Sequence, residues 1–139
     1  MTNTVNDNKV ATQKIVEIFN TGDLSEVASF FSPEYVDHQR PVWLEASGSE
    51  EFKQIVIGAR RFLPNLQVTV EDIFAEDEKV TIRLHWHSTH PTGKQVDRET
   101  IEILHFVQGK VVEHWGAEAW RTEHLPNAEA TRGNSSWSD

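Results

Sequence analysis

The sequence predicts an α+β domain in which helices come first and a curved antiparallel sheet follows. Two observations carry this. Apolar residues recur at helical spacing up to Phe62, and from Gln67 onward they alternate with period two. The two patterns are also segregated along the chain, which argues against the interleaved strand–helix units of a parallel sheet.

From about Asn8 to Asn20, Ala11, Ile15, Ile18 and Phe19 form one helical stripe, and Thr21-Gly22 supplies the stop. Asp23 opens a second, shorter helix, where Asp23 and Glu26 resemble a capping box. Leu24, Val27, Ala28 and Phe31 form its apolar side, and Pro33 ends it. The run Tyr35 to Gln39, YVDHQ, is an exit segment, and Pro41 and Gly48-Ser49 mark a loop. A third helix begins with Ser49 as its N-cap and Glu50 and Glu51 in its first turn, where the helix dipole favours anions. Phe52, Ile55, Val56, Ala59 and Phe62 form its core stripe, and Pro64-Asn65 closes it. Gln67 to Ala75 and Lys79 to His90 then read as strands joined by the acidic turn Glu76-Asp77-Glu78. Pro91-Thr92-Gly93 turns the chain into Val96 to Val107, which leads to the last strand.

The stretch Thr100 to Trp120 folds back on itself around Gln108-Gly109 and concentrates titratable groups: His105, His114, Glu102, Glu113 and Glu118. A two-residue loop sets His105 opposite Val112, Ile103 opposite His114 and Glu99 opposite Glu118. A three-residue loop with Gly109 as a bulge residue shifts this by one. His105 then shares its face with Trp115 and Ala119, and Glu118 points away. The sequence leaves both registers open.

With 139 residues, positions 1–120 form one domain and 121–139 a polar tail expected to be flexible. The net charge of −9 offers no basic stripe for a phosphate backbone, so no nucleic-acid partner is expected. There is no cysteine, which excludes disulfides and thiolate chemistry. The first residues lack the apolar core of a signal peptide and no apolar run is long enough to span a membrane; a cytoplasmic protein without a membrane partner is expected.

Each polar cluster carries a chemical and a plain reading. His85 and His87 share a strand face and His90 is close behind, but no HExxH or carboxylate pattern supplies a third ligand, so no metal is expected. Asp37-His38-Gln39 follow a helix at a change of chain direction; they line a pocket or cap local backbone. His105, flanked on its face by Ile103 and Ile101, is expected to enter apolar surroundings that move its pKa towards neutrality. The plain alternative for it is a satisfied core histidine. Trp86 and Trp115 offer flat surfaces to a core or to an aromatic ligand.

Three stretches, Phe19 to Gln39, Glu50 to Val80 and Thr92 to Gly116, resemble the SnoaL-like polyketide cyclases, within the cone-shaped fold shared with nuclear transport factor two and ketosteroid isomerase. The resemblance implies three N-terminal helices packed in a strongly bent sheet around one deep, mostly apolar pocket, and oligomers, usually formed through the sheet. It implies ring closure by intramolecular aldol chemistry without metal or cofactor. Carried onto this chain, it brings Asp37, His38 and Gln39 to the cavity rim and His105 from the late strand. An ungapped reading puts Ala119 where relatives usually carry Asp, with Glu118 beside it, and the turn after Thr89 is short.

The expectation is a cofactor-independent cyclase or isomerase for a small polyketide-like or aromatic molecule, acting as a homodimer or higher homo-oligomer. His105 and Glu118 would handle the proton, and Asp37, His38, Gln39, His87, Trp115 and Ile103 would hold the substrate. The alternative is a ligand-binding protein of the same fold without chemistry, which Ala119 favours.

Overall fold

The computed structural model describes residues 4–42 and 44–119. Trp120 and the tail expected to be flexible lie outside the described residues. Helix α1 spans Val5–Thr21, α2 is the single turn Val27–Phe30, and α3 spans Ser49–Phe62. The strands are β1 (Phe31–Asp37), β2 (Gln67–Glu76), β3 (Lys79–Thr89), β4 (Gln95–Val107) and β5 (Lys110–Glu118). They form one sheet in the order β1-β5-β4-β3-β2. The α+β architecture, a curled sheet with few helices, is as the sequence predicts, but the helices do not all come first, because β1 precedes α3.

Local chemistry explains the element ends, and three of them differ from expectation. Helix α1 starts earlier, because Thr4 and Asp7 form a reciprocal capping box there. Asp23 instead makes a turn, accepting from the Ser25 N–H at 3.0 Å, so only one helical turn follows. Gly48, not Ser49, is the N-cap of α3, with φ of 62°.

The largest difference is β1. Residues 31–37 are a strand that runs parallel to β5 on the edge of the sheet, with Asp37 paired to His114. Pro33 is tolerated because an edge strand has an unpaired side and the register slips between Phe31 and Val36.

The helices cover one face of the sheet. Ile15, Val16 and Phe19 of α1 and Phe52 and Val56 of α3 pack on Val68, Ile82, Leu84, Leu104 and Phe106. Phe31 stacks on Phe52 at 4.2 Å, and Phe19 meets Phe52 and Trp86 edge to face at 5.5 and 5.0 Å. The other face carries Lys79, Thr81, Arg83, Asp97, Ile101, Ile103 and Trp115 and leaves Phe74 and Ile101 exposed.

The β4–β5 hairpin decides which side chains enter the molecule. Its loop is two residues long: Val107 pairs with Lys110, and Gln108 and Gly109 both have positive φ (49° and 79°), as a type I′ turn requires. One step further in, the ladder slips. Phe106 faces Val111 but His105 faces Glu113, leaving Val112 as an extra, bulged residue. The pairing beyond is therefore Leu104 with His114, Ile103 with Trp115, Glu102 with Gly116 and Thr100 with Glu118. A short turn and a bulge together produce the facing that the longer loop would have given.

Candidate functional site

A cavity of about 290 Å³ opens between the helices and the covered face of the sheet. Ile15, Phe19, Phe52, Ile55 and Leu63 form its apolar wall, and Trp86, Thr100, Glu102 and Leu104 its sheet wall. Asp37, Gln39, His114, Arg98 and Glu118 complete the polar lining. Its size sits at the small end of ligand pockets, and a few polar groups in apolar walls are their usual make-up.

The polar groups are ordered around His114. Its Nδ1–H donates to Asp37 Oδ1 at 3.0 Å and its Nε2–H to Glu102 Oε1 at 2.6 Å. A ring with a carboxylate at each nitrogen is held as the imidazolium. Burial pulls its pKa down, but hydrogen bonds and charge from Asp37 and Glu102 outweigh that, so it is pushed up to about 9. For Asp37, burial acts upward; the hydrogen bond and charge of His114 more than offset it, and the carboxyl lies below its ordinary value.

Each carboxylate is anchored in turn. Asp37, 5% exposed, accepts from the Tyr35 hydroxyl at 2.9 Å and the Gln39 N–H at 2.8 Å. Burial, then the Asp37 charge, raises the Tyr35 phenol, which stays protonated. The Asp37 N–H donates to Glu51 Oε1 at 2.9 Å, and Glu51, 2% exposed, has Arg40 at 3.4 Å. On the other side, Trp86 Nε1–H donates to Thr100 Oγ1 at 2.8 Å, and Thr100 donates to Glu102 Oε2 at 2.7 Å. Indole, hydroxyl, carboxylate, imidazolium, carboxylate and phenol form one continuous chain across the cavity wall. Gly116 makes the space: a Cβ there would meet Gln39 Oε1 at 2.3 Å and Glu102 Cγ at 3.2 Å.

The sequence-derived candidates divide between the two faces. Asp37 and Gln39 line the cavity, and so does Glu118 at its mouth. His105 does not. It lies on the uncovered face, within 3.1 Å of Glu113 Oε1 and 3.2 Å of Glu78 Oε2, beside Ile103 rather than in an apolar interior. His38 also points outward, 2.9 Å from Glu113 Oε2 and stacked on Trp115 at 4.9 Å. His87 and His85 both contact Asp97 Oδ1, at 2.9 and 2.8 Å. Ile103 and Trp115 face each other on that same outer side. The bulge at Val112 reverses the sidedness of every β5 residue after it, which turns His114 and Glu118 inward and Trp115 outward. His85, His87, Ile103 and His105 lie on the uncovered face through the plain alternation of β3 and β4. Among the described residues, no three His, Cys, Asp or Glu side chains are placed to hold a metal ion.

His114 and Glu102 are the residues that sequence reasoning passed over. A signal was present: Glu102 alternates with Leu104 and Phe106, as apolar a set as Ile101 and Ile103. The choice between the two sets needed the packing, since the helices cover the Leu104 and Phe106 face of β4.

The sequence pattern of the SnoaL-like polyketide cyclases matches residues 9–119. Aklanonic acid methyl ester cyclase AcmA of Streptomyces galilaeus is 29% identical, over 75% of this chain and 78% of that protein. A provisionally assigned polyketide cyclase from Bacillus cereus superposes with a TM-score of 0.73 at 29% identity, covering 81% of this chain and 74% of its own. AclR of Streptomyces galilaeus, provisionally described as a hydroxylase, superposes with a TM-score of 0.70 at 31% identity, covering 88% of this chain and all of its own.

Proposed function

Because the chain belongs to the SnoaL-like polyketide cyclase family, we propose that it closes a ring in a small, enolisable, polyketide-like molecule by acid/base chemistry on the His114–Glu102 pair, without a cofactor. The observation that carries this reading is the buried imidazolium between two carboxylates in the wall of an otherwise apolar cavity. Glu102 takes a proton from a carbon next to a carbonyl, giving an enolate. The enolate carbon attacks a second carbonyl carbon of the same molecule, one C–C bond forms, and the new alkoxide takes a proton from His114. Glu102 returns the first proton to His114, so substrate and product are isomers. Asp37 keeps the ring oriented and charged, and the low-dielectric walls strengthen its effect on a developing oxyanion. Phe19, Phe52 and Trp86 suit flat, fused rings.

The test is turnover of aklanonic acid methyl ester, the substrate in the relative's name, followed by mass and retention time. A product of unchanged mass is expected from the wild type. Glu102→Gln should lower kcat by about 10²–10⁴, the range of a lost general base, with substrate binding retained. Turnover that survives Glu102→Gln would overturn the assignment. A product heavier by one oxygen would point to hydroxylation, the activity in AclR's description. Binding without turnover in either protein would favour the non-catalytic alternative.

Self-association through the uncovered sheet face belongs to the same proposal. Phe74 and Ile101 are 65% and 51% exposed there, and covering them with a second copy removes apolar area from water.

A further inference from the structure

Glu102 is held at both of its oxygens, and the donor at one of them has a direction that a third residue dictates. His114 Nε2–H donates to Oε1 at 2.6 Å, and the Thr100 hydroxyl donates to Oε2 at 2.7 Å. A threonine hydroxyl on its own rotates and either gives or accepts a hydrogen bond. Here the Trp86 Nε1–H stands 2.8 Å from Thr100 Oγ1. An indole N–H can only donate, so the oxygen must accept it, and the single hydroxyl hydrogen is left to point at Glu102.

Sheet and core geometry keep this arrangement in place. Thr100 and Glu102 stand at alternate positions of β4 and so share its covered face. Trp86 enters the same cavity from β3, and its ring packs edge to face on Phe19 of α1 at 5.0 Å. A carboxylate offers about four acceptor sites, spread over its two oxygens. The imidazolium takes one on Oε1 and the hydroxyl one on Oε2, which fixes the plane of the carboxylate and leaves the remaining lone pairs for a substrate proton.

We propose that Thr100 is a positioning residue for the base, with Trp86 fixing the polarity of its hydroxyl, and that together they aim the Glu102 carboxylate at the carbon it deprotonates. The inference rests on the function proposed above and adds the residues that orient its base. The torsion about the Cγ–Cδ bond of a glutamate is soft, so without the Thr100 hydroxyl only the His114 contact restrains the two oxygens. Proton abstraction from carbon needs a base oxygen close to the C–H bond and aligned with it, and an ångström of misplacement costs on the order of 10²-fold. Trp86 thus has two duties: its face suits a flat substrate, and its N–H acts on the base through Thr100.

Steady-state turnover of aklanonic acid methyl ester by variants that keep the wild-type circular dichroism spectrum tests this. Thr100→Val keeps the branched shape and removes the hydroxyl; kcat should fall by about 10–10²-fold while KM stays within about twofold. Thr100→Ser restores the donor and should bring kcat to within about threefold of the wild type. Trp86→Phe keeps an aromatic ring, removes the N–H and leaves Thr100 in place; it should also lower kcat. On the Thr100→Val background the same change should lower kcat no further, because its partner is already gone. A Thr100→Val protein with unchanged kcat, or a Thr100→Ser protein no better than it, would overturn the inference, while Glu102→Gln, if inactive, would still mark the base. Losses from Thr100→Val and Trp86→Phe that multiply would overturn it too, since Trp86 would then act on the substrate alone. A wild type that leaves the ester unchanged, or turnover that survives Glu102→Gln, would sink the function proposed above and this inference with it.

Discussion

Replacing Glu102 by Gln should move the titration of His114, by an amount that follows from the geometry. The ring is held at about 9 instead of the ordinary 6.5, a difference that corresponds to roughly 3 kcal/mol of preference for the charged form. Burial opposes that charge, so Asp37 and Glu102 together supply more than the net figure. An equal split assigns more than half of it to each. Glu102→Gln should therefore bring the midpoint down by roughly 1.5–2 pH units, to about 7–7.5. The folded value lies above the unfolded one, so the stability that His114 contributes is complete below about 6.5 and is lost as pH climbs through about 9. Wild-type unfolding free energy should fall by roughly 3 kcal/mol across that window, and the Glu102→Gln protein should lose far less. Asp37 acts at the opposite end: its depressed pKa contributes stability above about 3.8 that disappears as pH falls. Imidazole ¹⁵N shifts read by NMR, with His114→Gln to assign the signal, report the midpoint directly, and urea unfolding reports the free energy. A wild-type His114 that titrates near 6.5, or one that stays near 9 in Glu102→Gln, would refute the reasoning.

Two further substitutions test the frame around the site. Gly48 has φ of 62°, and a Cβ there would lie 2.4 Å from the Pro33 carbonyl oxygen, so Gly48→Ala should cost roughly 2–4 kcal/mol and lower the Tm clearly by calorimetry. An unchanged Tm would mean that the β1–α3 junction is not held as described. Phe74→Glu places a charge on the uncovered sheet face; sedimentation velocity should show a shift to the monomer, with the circular dichroism spectrum unchanged. A wild type that sediments as a monomer at all concentrations would dispose of self-association there.

Much of the frame was legible in the residues because it rests on local rules. The Ile15–Phe19 and Phe52–Val56 stripes, the Pro64-Asn65 stop and the acidic turn before Lys79 all depend on neighbours within a few positions. β1 was not legible. Pro33 reads as a helix stop, and the strand exists only because β5 lies beside it to accept its pairing. Asp37 was found because polar groups at a change of chain direction tend to line cavities. His114 was missed because Ile101 and Ile103 make the face of His105 look like the inner one, while Leu104 and Phe106 make an equally good claim for the other.

What the sequence determined by itself was therefore the order and kind of the elements other than β1, the family pattern they spell, and the supply of imidazoles and carboxylates on the last two strands. Only the tertiary structure decided which of those groups enter the cavity. Strand side chains alternate with a period of two, so one extra residue at Val112 sends His114 inward and leaves His105 on the outer face with Glu113 and Trp115. That bulge is settled by how β5 fits between β1 and β4, a fit that no short stretch of the chain encodes.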